Sequence, residues 1–200
     1  AYEIVKSDSG NMELSLNVKK PTKALAYATA KKQLPEVLSY LGSKGFDVNN
    51  DVNIKSINGY VTYKMAPNGV TTNETDYYNL SQTVTVKSSD VNKIKNASLD
   101  IASLMDKGID IDVRSTSYSY SKLPDLKVQL LNKATTDAKQ RASAMLKSTN
   151  NHVGKIQSVQ MGVFQITPVD STDVSDMGIN DTSTIEKKIT AVSNVTFEVK

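Results

Sequence analysis

Two hydrophobic periods alternate along the first 120 residues, and their order restricts the fold more than any other feature. "MELSLNVKK" places Met12, Leu14, Leu16 and Val18 on one side of an extended strand. After Pro21, Thr22 can cap a helix whose apolar positions Leu25, Ala28, Leu34, Val37, Leu38 and Leu41 recur at helical spacing. Pro35 lies inside that run, where it removes one backbone hydrogen bond and crowds the preceding turn, so a kink or break is expected there. "LGSKGF" closes the helix, and "DVNIKSINGYVTYKM" returns to strand character. Pro67 and the Asn68-Gly69 pair signal a hairpin leading into "YYNLSQTVTVK", with Leu80, Gln82, Val84 and Val86 on one face. Ser89 or Asp90 can cap a second helix carrying Val91, Ile94, Leu99, Ile101, Leu104 and Met105, and Gly108 can stop it. "IDIDVRSTSYSYS" then alternates, with Ile109, Ile111 and Val113 on one face. Strand, helix, strand, strand, helix, strand is the order of a split βαβ, ferredoxin-like unit. The expected class is α+β, a mainly antiparallel sheet with helices packed on one face.

The remaining 80 residues read differently. A long helix from about Leu123 carries Leu126, Leu130, Ala134, Ala138, Ala142 and Leu146 in a four-residue series. Because a helical turn takes ~3.6 residues, the series drifts slowly round the helix as a stripe with leucine at its ends and alanine in its middle. Small residues at that spacing allow another backbone to approach closely, so Ala134, Ala138 and Ala142 are candidates for packing within the subunit or for an interface between subunits. Asn150-Asn151 ends the helix, asparagine being the usual substitute for glycine in the left-handed terminating position. "HVGKIQSVQMGVFQI" and "KKITAVSNVTFEVK" alternate as strands on either side of the polar segment "TPVDSTDVSDMGINDTST", and a loop of that length is either functional or mobile. Ile189, Val192 and Val195 do not share one alternation with Phe197 and Val199, which predicts a bulge or apolar residues on both faces of the last strand. The expected organisation is a βαββαβ unit over 1–122 and a long helix plus two-stranded hairpin with the polar loop over 123–200, the two packed as one module. Helices are expected near 23–44, 90–107 and 123–150.

Composition removes several classes of function. The chain has no cysteine, which rules out disulfides, thiolate zinc sites and thiol catalysis. Its 24 basic and 21 acidic side chains give a net charge of +3, with the lysines scattered, which is not the clustered charge of a nucleic-acid surface. No apolar run is long enough to span a bilayer. The opening "AYEIVKSDSG" has neither an initiating Met nor a leader, which points to a removed signal peptide or anchor.

Few residues offer chemistry. His152 is the single histidine, at a helix-to-strand turn, and neither a metal site nor a Ser-His-Asp triad can be assembled around it. Asp110 and Asp112 share the solvent side of their strand. Asp170, Asp173, Asp176 and Asp181 sit in the polar loop without the spacing of a calcium loop. Tyr118 and Tyr120 lie on one face of "STSYSYS", where such a pair either grips a ligand or packs beside a helix, and "NGYVTYK" offers Gly59 and Tyr60 with the same ambiguity. The expectation is therefore no catalytic residue, cofactor or metal, hence no enzyme.

The residues "SYSYSKLPDLKVQLLNKATTDAKQRASAMLKSTNNHVGKIQSV" and the final "ITAVSNVTFEVK" resemble the SIMPL domain family of bacterial envelope proteins, to which the periplasmic immunogenic protein belongs. Ala134, Ala138, Arg141-Ala142 and Val153-Gly154 match its pattern in order, and "ELSLNV", "LGSKGFD" and "QTVTVKSSDVNKIKNA" extend the likeness over nearly the whole chain. Asn150 or Asn151 stands where the family usually has glycine, and "KSTN" replaces its alanine before the turn. The resemblance implies an α+β fold, a periplasmic or otherwise exported location in the cell envelope, and a homo-oligomer. It names no activity, leaving the exact role open, with envelope stress as one option. The alternative expectation is a module that binds a small ligand or protein partner through the 168–184 loop or the Tyr118/Tyr120 strand.

Overall fold

The alternation at Met12 to Val18 becomes the centre of a sheet. In the computed structural model, which describes residues 1–200, the elements run β1 (Tyr2–Lys6), β2 (Ser9–Lys20), α1 (Lys23–Ser43), β3 (Val52–Met65), β4 (Thr71–Ser88), α2 (Val91–Asp100) and β5 (Asp110–Ser119). They continue with α3 (Leu123–Leu146), β6 (Val153–Met161), β7 (Gln165–Pro168), β8 (Ile179–Asn180), β9 (Glu186–Thr190) and β10 (Ser193–Val199). The class is α+β, with mainly antiparallel pairing. The strands form three sheets instead of one, and the chain divides into an inserted unit, Ser9–Ser117, and a composite unit made of Ala1–Asp8 with Tyr118–Lys200. The first strand thus groups with the last 83 residues, because β1 pairs antiparallel with β9 from Tyr2↔Thr190 to Lys6↔Glu186.

In the inserted unit the sheet order is β3-β4-β2-β5, that of a ferredoxin-like split βαβ. Met12, Leu14, Leu16, Leu80, Val84 and Val86 are buried and face the helical residues Ala26, Ala30, Val37, Leu41, Ile94 and Ala97. Thr22 caps α1 by accepting from the Leu25 amide, and Asp90 caps α2 by accepting from Asn92 and Lys93. The break expected at Pro35 does not occur, since α1 runs through it. The carbonyl the proline strands belongs to exposed Lys31, open to water, while buried Ala30, Val37 and Leu41 hold both halves of the helix on the sheet. Gln82 is polar on the apolar face for a reason: β3 has a bulge between Ile54 and Ile57, and the Gln82 side-chain amide donates to the freed Lys55 carbonyl at 3.0 Å. The opposite face is polar, with Ser15 bonded to Ser81, Asn17 and Arg114. At the hairpin tip Ala66 and Gly69 close a tight turn, and only Gly69 takes positive φ.

In the composite unit α3 covers one face of the sheet β1-β9-β7-β8. Its core is Leu126, Leu130, Ala134, Ile166, Ile189 and Ala191. Asn150 ends the helical segment with φ 55°, as its side chain permits. Each of the two C-terminal strands read as continuous is interrupted, at Gly162–Phe164 and at Ala191–Val192, so β6 pairs with β10 in a separate two-stranded ribbon while β7 and β9 pair in the main sheet. The interruption accounts for the broken alternation: Val195, Phe197 and Val199 start a new count after Ala191. Register shifts on either side of Phe197 add the bulge.

Candidate functional site

The composite unit brings together the two features that the sequence offered as a grip. Tyr118 and Tyr120 follow one another along the chain into α3, and the Tyr118 amide donates to the Thr182 carbonyl of the polar loop at 2.7 Å. Between them lies a cavity of about 180 Å³, lined by Tyr118, Tyr120, Ile166, Asp181, Lys187 and Ile189 among others. Tyr118 is buried, and Tyr120 is half-buried and packs against the hydrophobic core of the unit.

The only strongly perturbed carboxylate stands at this cavity. Lys187 shares a sheet face with Ile189 and is buried, its Nζ donating to the Asp181 carbonyl at 2.7 Å and lying 3.2 Å from Asp181 Oδ2. Burial disfavours the Asp181 carboxylate, yet Thr184 and Ser183 hydroxyls, the Ser183 amide and Lys187 all donate to it, and together they hold its pKa far below the usual carboxylate range. An ionised aspartate with every lone pair engaged is a poor base. Its chemistry here is to tie residues 181–187 to the sheet.

The polar loop is pinned at two further points. Gln165 donates to the Ser175 carbonyl at 2.7 Å and accepts from its amide at 3.3 Å, and Lys188 Nζ donates to the Ser171 carbonyl. The loop therefore folds back on the face of β7 and β9 opposite α3, where Gln165 and Thr167 are buried beneath it. No sequence pattern announced these clamps, because a Gln or Lys alternating in a strand looks like a solvent-facing residue until something covers it.

The other candidates disperse. Asp170, Asp173 and Asp176 are exposed and do not converge with Asp181; Asp173 bonds locally with Ser171. Asp112 accepts from Asn17 Nδ2 on the polar sheet face, and Asp110 is exposed. The His152 side chain is exposed while its backbone pairs with Lys200. Tyr60 is exposed, and Gly59 lets Leu80 approach so closely that an added Cβ would lie 2.3 Å from Leu80 Cδ2. Along the alanine stripe Ala134 is buried, whereas Ala138 and Ala142 are half-exposed, with Ala138 lining a shallow depression of about 250 Å³ beside Thr190 and Ser193.

A model of the SIMPL family, described as a protein of unknown function (DUF541), matches residues 1–197. A search among curated proteins gives no match. With 197 consecutive residues matched, the chain belongs to the SIMPL family.

Proposed function

We propose that this SIMPL-family chain is a non-enzymatic protein of the bacterial cell envelope that works by assembling with copies of itself, an envelope stress response being the setting to test first. The observation that carries the assembly is a pair of two-stranded ribbons with open edges. Beyond Tyr78, where pairing with β2 ends, β3 and β4 continue alone to their turn, exposing Tyr63, Met65 (71% exposed) and Val70. The second ribbon, β6 with β10, exposes Ile156, Val159 (51%) and Val199. Open apolar edges invite further strands, so a second copy is the economical source of cover for both ribbons. The proposed absence of turnover is supported by the Asp181 carboxylate, which Ser183, Thr184 and Lys187 engage in structural bonds.

Light scattering tests assembly. The expected mass is several times the 21.8 kDa of the chain, and a clean monomer at micromolar concentration would overturn the reading. Location is tested by fractionating cells that express the full-length protein: recovery with cytoplasmic markers alone would overturn export.

A further inference from the structure

A groove of about 570 Å³ opens in the composite unit between α3, the β6–β7 connection and the end of the polar loop. Small-molecule sites usually span ~300–1,000 Å³ and combine apolar walls with a few polar groups. Here Met161, Val163, Phe164, Met177 and Ile179 form the apolar walls. Three of them are left open to water to a degree unusual for their type: Met161 is 59%, Val163 48% and Met177 91% exposed. Large apolar side chains gathered around a concavity mark a binding surface.

The walls are held in place. The paired hydrogen bonds from Gln165 to Ser175 fix the loop two residues before Met177. Gly178 follows with φ +81° and packs so closely that an added Cβ would lie 2.7 Å from Val163 Cγ1 and 3.0 Å from the Phe164 carbonyl oxygen. Met177 is thereby presented at one position, while its unbranched thioether side chain can adapt to what it touches.

The charge at the groove has one sign. Lys127 of α3 is half-buried with its Nζ 5.3 Å over the Phe164 ring, and it makes no ion pair. No carboxylate lines the groove. An apolar trough with one cation on its wall that makes no ion pair fits a ligand with an apolar body and one negative head.

We propose that this groove binds a single-chain aliphatic carboxylate, its chain along Met161, Val163 and Met177 and its head at Lys127. The volume of about 570 Å³ lies within the range of sites for a single small ligand, which one aliphatic chain suits. Binding of this kind is independent of assembly, since every contributing residue lies in one copy.

The test is calorimetric titration of the full chain with decanoate below its micellar concentration, beside decyltrimethylammonium as a chain of opposite charge. The expected result is saturable binding, one decanoate per chain, at least about tenfold tighter than the cation. K127E, shown to be folded by its circular dichroism and cooperative melting, should weaken decanoate by about tenfold or more and strengthen the cation. M177D should weaken decanoate as well. Absence of saturable decanoate binding, or equal affinity in folded K127E, would overturn the assignment. So would binding to phosphatidylglycerol vesicles without binding of monomeric decanoate, which would make the groove a membrane-contact surface.

Discussion

Among single residues, Asp181 and Lys187 decide the most. Nothing in "INDTSTIEKKIT" separates Asp181 from the other aspartates of the loop, yet it alone accepts from Ser183, Thr184 and Lys187 together. Removing one partner from a buried pair strands the other, at ~3–5 kcal/mol when burial is complete. Because the Asp181 side chain keeps 9% of its surface in water, D181N should cost about 2–3 kcal/mol, below that range. K187M, which leaves Asp181 its hydroxyl and amide donors, should cost less. The pH dependence follows from the direction of the shift. The folded pKa lies below the unfolded value of ~3.9, so the contribution is complete above that value and is lost as the pH falls through the folded pKa. Urea midpoints measured from pH 5 down to pH 2 should fall more steeply for the native chain than for D181N; parallel slopes would show that Asp181 contributes nothing.

For elements, the alanine stripe shows how far a periodicity reaches. Spacing identifies the stripe but not where along α3 the opposing sheet stops. Leu126, Leu130 and Ala134 are buried against Ile166, Ile189 and Ala191, and by Ala138 the helix borders the depression next to Thr190 and Ser193. A134L should therefore destabilise by about 1–3 kcal/mol through overpacking. A138L, with a shallow depression to fill, should change stability by less than ~0.5 kcal/mol. Equal melting temperatures for the two variants would show that the burial boundary is misplaced. Gly154 gives a second test, because an added Cβ would lie 2.8 Å from Glu198 Cβ and 3.0 Å from the Glu198 carbonyl oxygen of β10. G154A should separate β6 from β10 locally, read as faster amide exchange across Val153↔Val199 with the inserted unit unaffected.

At the scale of the whole molecule, the division into two units makes a prediction about pieces. Residues 9–117 contain the helices and strands of the βαββαβ unit, β5 as far as Ser117, together with its own core, so they should fold alone with the far-ultraviolet dichroism of a mixed α+β protein. Residues 118–200 alone lack β1, leaving β9 with an unpaired edge, and should be much less stable until a peptide of residues 1–8 is added. The order of elements in the inserted unit, the caps at Thr22 and Asp90, the stop at Gly108 and the end of α3 at Asn150 were legible in the sequence because each depends on residues within a few positions of one another. At Pro35 the local signal allowed a kink or a break, and the helix continues unbroken because propensity says nothing of the sheet that holds both halves of α1. The return of β1 to β9, the split of the last strands into two sheets, the clamps of Gln165 and Lys188 on the loop, and the meeting of Tyr118 with Asp181 and Lys187 all join residues far apart in the chain. Alternation tells which residues share a face; only the tertiary structure decides what lies against that face, because pairing and burial are set by the free energy of the whole chain and not by any window of it.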